Sequence, residues 1–113
     1  MNEFQAMLLS VLIEGPIAVA LVRLTRWPCR GPAHAGLTLC VATAVTHPQF
    51  WAAFPWLMDH LGYDGAMVTG EAVVVVVEAA ILVWAIGLSA CRALLLSFCA
   101  NGTSAIIGLF VLS

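Results

Sequence analysis

The chain of 113 residues is 63% hydrophobic and only 9% charged, with six acids, four arginines and no lysine. A water-soluble domain draws roughly a quarter of its residues from the charged types, so this composition excludes a soluble globular protein and makes lipid the solvent for most of the surface. The net charge of −2 implies no charged partner, and the length allows a single domain.

The first apolar stretch opens on Met1-Asn2-Glu3-Phe4 and is followed by Arg23, Arg26 and Arg30. A secretory signal has the opposite arrangement, positive charge first and a small-residue cleavage site last, so this segment is expected to stay as a helix over residues 4–22. The run Trp27-Pro28-Cys29-Arg30-Gly31-Pro32 breaks it. A second span is expected over 33–57, with Pro48 inside it and Pro55 near its end. Met58 to Gly65, with two glycines and two aspartates, reads as a loop. From Val68 to Leu112 the chain is apolar. A single helix of that length would be about twice as long as a bilayer is thick, so it must turn back around Gly87 to Arg92, giving spans over 68–88 and 91–112. The β-branched run Val73 to Val77 would suggest a strand in water, but in lipid the backbone must bond within its own segment, which favours helix. The predicted fold is all-α: an integral membrane four-helix transmembrane bundle, with residues 1–113 as one transmembrane domain.

Three of the four arginines lie in the first loop and Arg92 in the third. Positive loops stay cytoplasmic, so both termini are expected outside, in the periplasm of a bacterial inner membrane. On this map Glu14, His47, Glu78 and Asn101 each fall about ten residues from the outer end of their span, near the midplane. Their neighbours share helical faces at spacings of three, four and seven: Ser10 with Glu14, Cys40 and Thr43 with His47, Glu71 with Glu78, and Ser97 with Asn101, Ser104 and Gly108. Charged groups in lipid cost several kcal/mol and turn inward, pair or become neutral. These stripes therefore mark the interior of a bundle or of a bundle dimer.

Glu14, His47, Glu78 and Glu71 are the candidate ion- or proton-binding residues, supported by Asn101, Thr43, Thr46, Ser97 and Ser104. Burial disfavours the charged form of carboxyl and imidazole alike, so such a layer can take up and release protons. Glu14, His47 and Glu78 are also candidate ligands for a divalent metal ion, since His and carboxylate suit zinc, manganese or iron. The alternative role for all of them, and the favoured one for Asn101 and the hydroxyls, is hydrogen-bonded packing between helices. Two bare carboxylates at this depth would be very costly, so at least one of Glu14 and Glu78 should be protonated at neutral pH, in one coupled site with His47.

Other features carry less. Cys29, Cys40, Cys91 and Cys99 form no CxxC pair. Asn101-Gly102-Thr103 fits a glycosylation sequon but lies inside a span. Asp59, His60 and Asp64 make a polar loop that could bind a cation, and Pro16 and Pro48 are expected to bend their helices beside the polar layer. No phosphate loop, catalytic triad or nucleic-acid-binding pattern is present, and an enzyme is not expected.

The length, the four expected spans and an acid midway along the first one resemble the small multidrug resistance transporters. In that family such a glutamate exchanges protons for cationic drugs inside a dimer, and the matching position is Glu14. The chain departs from the family in carrying His47, Glu71 and Glu78, in lacking a glycine-rich third helix, and in its one-sided arginines. The set Thr46-His47-Pro48-x-x-Trp51 with Glu71-x6-Glu78 is also similar to small uncharacterised bacterial membrane proteins. The function expected is transport or ion handling through a midplane proton or metal site. The alternatives are an accessory subunit of a respiratory or photosynthetic complex, and a haem- or pigment-binding protein with His47 as axial ligand. Expected partners are the lipid bilayer and either further copies of the chain or other membrane subunits.

Overall fold

The computed structural model describes residues 3–112. Three α-helices make up the fold: α1 over Glu3–Thr25, α2 over Pro32–Ile86 and α3 over Ala90–Leu112. All three are long and apolar enough to cross a membrane, and the chain is an all-helical membrane protein. Large side chains such as Trp84, 87% exposed, and Leu24, 80% exposed, point outward, where only lipid could receive them in such number.

The expected four-helix bundle is corrected by α2. Met58 to Gly65 is helix and not a loop, so the second and third expected spans are parts of one 55-residue element. A straight helix of that size would measure about 83 Å, yet the whole molecule is only 42 Å in its longest dimension. The difference arises at Gly62, whose torsions of φ 75 and ψ 177 are the only non-helical ones inside α2. There α2 folds back on itself, and its arms, residues 32–61 and 63–86, pack side by side. Tyr63 meets Phe54 across the fold at 5.9 Å between ring centroids. Further along, Gly70 lies so close to the Phe50 ring that a Cβ at that position would overlap it. The reversal was expected from Gly and Asp content, but one glycine torsion suffices for it, and the residues on either side stay helical.

The other ends follow ordinary capping chemistry. Gly87 closes α2 in the left-handed conformation, its N–H donating to Val83 O at 3.2 Å, as a glycine C-cap does. Three residues, Gly87 to Ser89, join it to α3. α1 ends at Thr25, and Arg26 takes φ 56. Arg30 N–H donates to Ile86 O at 3.0 Å, tying the 26–31 loop to the end of α2. Pro16, Pro48 and Pro55 all lie inside helices that continue past them. Arg23, Arg26, Arg30 and Arg92 thus stand at one end of the bundle, with Gly62, Asp59 and Asp64 at the other.

Packing differs along the bundle axis. Towards the arginine end, Val22, Leu39, Leu82, Ile86, Leu88 and Leu96 form a core with at most 2% exposure. α1 and the first arm of α2 cross closely there, because neither Gly15 nor Gly36 has a side chain: a Cβ on Gly36 would overlap Val19 and come within 3.2 Å of Gly15 O. Towards Gly62, beyond the polar layer, Ala66 alone among the described hydrophobic residues is buried.

Candidate functional site: a buried carboxyl layer

Between these two halves lies a layer of buried polar side chains: Glu14 from α1, Thr43 and Thr46 from the first arm of α2, Glu78 from the second, and Ser97 and Asn101 from α3. Each helix supplies its member for the same reason. The opposite faces are lipid-facing and apolar, so a carboxyl, hydroxyl or amide is stable only where the other elements can bond it.

The bonds are specific. Thr43 Oγ1 lies 3.1 Å from Glu14 Oε1 and 3.0 Å from Glu78 Oε2, so the two carboxyl groups approach within about 6 Å through one shared hydroxyl. Asn101 Nδ2 donates to Glu78 Oε1 at 2.6 Å and to Ser97 O at 2.9 Å. Ser97 Oγ in turn donates to Val75 O at 2.9 Å, fastening α3 to the second arm. One layer below, Ser104 Oγ bonds Ser10 Oγ at 3.1 Å, linking α3 to α1.

A hydroxyl has one hydrogen to give. Thr43 can donate to one carboxyl, and the other must then donate to Thr43, which requires it to be a carboxylic acid. Hydrogen bonds on both sides of Thr43 are therefore satisfied when the pair of glutamates holds at least one proton. Glu78 already receives the Asn101 amide, and an anion gains more from donors than an acid does. Either carboxyl can hold that proton with the same three bonds kept; placing it on Glu14, which then donates to Thr43, leaves both Thr43 and Asn101 donating to Glu78.

The layer borders open space towards the Gly62 end. A cavity of about 30 Å³, room for a water molecule, is lined by Glu14, Thr43, Thr46, His47, Glu71 and Asn101 among others. It shares Ser10, His47, Phe50, Glu71 and Ser104 with a larger cavity of about 330 Å³ towards the Gly62 end. The walls of the larger space carry Phe50, Trp51, Phe54 and Tyr63, whose rings pack on one another at 5.6 to 6.4 Å.

Glu14, Glu78, Thr43, Asn101 and Ser97 are thus drawn into one network. His47 is half-buried in the wall of both cavities, with its ring 6.2 Å from that of Trp51. Glu71, half-buried, lines the same two cavities, whereas Thr46 turns its hydroxyl to Thr43 O at 3.4 Å. Among the described residues no group of three or more His, Cys, Asp or Glu side chains is placed to hold a metal ion. Glu14, His47 and Glu78 are not such a group as placed, and Thr43 and Asn101 are the hydrogen-bond partners of the two acids. In the expected outer loop, His60 Nδ1 bonds Trp56 O at 2.8 Å within α2.

Two parts of the site escaped the sequence reading. Thr43, by sequence a supporting residue with packing as its favoured role, is the bridge itself, and its place four residues before His47 is the available signal. The aromatic wall was missed because Phe50 and Phe54 reach Tyr63 only once Gly62 has turned the chain. Compared with known protein families, with curated proteins and with solved structures, the chain matches none.

Proposed function

We propose that this chain handles protons within the membrane, in a transport role, with Glu14, Thr43 and Glu78 as a two-carboxyl, one-proton site. The observation that carries the reading is the single Thr43 hydroxyl held between two buried carboxyl groups. Such a bridge lets the proton change sides without leaving the layer: Glu14 gives its proton to Thr43 Oγ1 while Thr43 gives its own to Glu78, and the reverse step restores the start. Charge is conserved in the layer throughout. A proton leaves or enters by way of the small cavity and the aromatic-walled one beyond it, where His47 and Glu71 line the route. The packed apolar core on the other side offers no polar path, so access is one-sided in this conformation.

The four arginines gathered at one end support an orientation with that end cytoplasmic and with both termini and the Gly62 fold outside, as in a bacterial inner membrane. In a cysteine-free background, an impermeant reagent added from outside should label a cysteine at position 63 and spare one at position 26.

The proton site is tested by proton release from the purified protein in mild detergent, across Glu14→Gln, Glu78→Gln and the double variant. A shared proton makes the effects strongly non-additive, the double variant adding little to either single one. Additive effects, or none, would make the two acids independent packing groups.

A further inference from the structure

We infer that the groove between α1 and the first arm of α2 is a binding site for an anionic phospholipid, with the acyl chain lying in the groove and the headgroup phosphate on Arg23. The groove has a volume of about 550 Å³ and is lined by Pro16, Val19, Ala20 and Arg23 of α1 and by Gly36, Leu37 and Cys40 of α2. Pro16, Val19, Ala20 and Arg23 follow at intervals of three, four and seven, so they form one stripe about two turns, or roughly 10 Å, long. Gly15 and Gly36 make the floor, where the two backbones come so close that a Cβ on Gly36 would collide with Val19. The result is an apolar furrow on the lipid-facing surface with a single charge, the Arg23 guanidinium, at the end nearest the membrane surface.

Charge complementarity selects the occupant. Arg26 and Arg30 are exposed in the loop that follows Arg23, and the acids Asp59 and Asp64 lie at the far end of the molecule. Arg23 lines the furrow and Arg26 and Arg30 follow it in the adjoining loop, a local excess of positive charge that attracts a lipid with net negative charge in preference to a zwitterionic one. Arginine also matches phosphate geometrically, through paired N–H donors. The site is separate from the carboxyl layer and does not depend on its proton chemistry.

The test uses the whole protein reconstituted in phosphatidylcholine vesicles, with spin-labelled phosphatidylglycerol and phosphatidylcholine of identical chains as probes. Electron spin resonance then gives the fraction of each probe held immobile against the protein. Phosphatidylglycerol should be held in preference to phosphatidylcholine, Arg23→Gln should lower that preference about fivefold, and Arg23→Lys should keep most of it. Ala20→Phe fills the furrow and keeps every charge, so it should release phosphatidylglycerol as well. If Arg23→Gln fails to assemble, judged by helical circular dichroism and elution, Ala20→Phe decides alone. Equal retention of the two probes, or a preference untouched by these variants, would overturn the assignment. Displacement of phosphatidylglycerol by inorganic phosphate, with Ala20→Phe silent, would do the same by reducing the site to a plain anion contact.

Discussion

The arginine half and the Gly62 half of the bundle are equally apolar in sequence but are built differently. In the first, Leu39, Leu82, Ile86, Leu88 and Leu96 are sealed among three helices, and two glycines let α1 and α2 nearly touch. In the second, aromatic side chains line a cavity of about 330 Å³. The carboxyl layer sits at the border. A charge surrounded entirely by the tight half would have no exchange route, and one in the open half would lack the fixed donors that hold it. The contrast shows how one short chain can both fix a buried carboxyl layer by packing and leave open space beside it, as the proposed proton site requires.

The comparison breaks most visibly where packing is densest. Leu82 is fully buried in the arginine half, so Leu82→Ala should destabilise the fold by about 2–5 kcal/mol, the range for a core leucine whose cavity stays open. Leu61, half exposed beside the fold in α2, has fewer buried contacts to lose, and Leu61→Ala should cost a small fraction of that. Reversible unfolding in mixed micelles measures both. Equal losses would mean that the two halves do not differ in packing.

Gly62 comes next. Its φ of 75 with ψ of 177 belongs to a region that is essentially restricted to glycine, at a cost of about 1–3 kcal/mol for other residues. A Cβ there meets no atom within 4 Å, so Gly62→Ala isolates the backbone term from any clash. The same unfolding experiment should show a loss in that range, with the arginine half still packed, as seen by continued protection of its amides from hydrogen exchange. A neutral Gly62→Ala would show that the fold of α2 does not depend on this torsion.

How much of this was legible in the sequence depended on the kind of signal. Helix at Val73 to Val77 followed from the solvent, because lipid leaves the backbone no other partner. Glu14, Glu78 and Asn101 could be placed at one depth by counting residues from the span ends, since rise per residue is constant in a helix. The Met58 to Gly65 segment misled, because its composition is that of a loop, and nothing in composition distinguishes eight turn residues from one turned glycine within a helix. Thr43 was visible but undervalued: a threonine reads as packing until two acceptors are found on either side of it. The Arg23 groove depends on a close crossing of two helices, which periodicity within each helix does not reveal.

The smallest change in stability, and the sharpest change in behaviour, is expected at Thr43 itself. Valine has nearly the shape of threonine without the hydroxyl, so Thr43→Val leaves the packing at the border intact and removes only the bridge. Interhelical hydrogen bonds in membrane proteins average about 0.6 kcal/mol, and two are lost, so the fold should weaken by about 1 kcal/mol. The carboxyl groups, however, no longer share a hydrogen. Glu78 keeps the Asn101 amide at Oε1, whereas Glu14 loses the Thr43 contact. The effects of Glu14→Gln and Glu78→Gln on proton release, which the proposed shared proton makes non-additive in the native background, should move towards additivity in the Thr43→Val background. Thr43→Ser, which keeps the hydroxyl and loses a methyl, should preserve the non-additivity at a similar or smaller cost in stability. Should valine and serine behave alike, the two acids would be coupled through space alone, and the one-hydrogen bridge would have no part in the site.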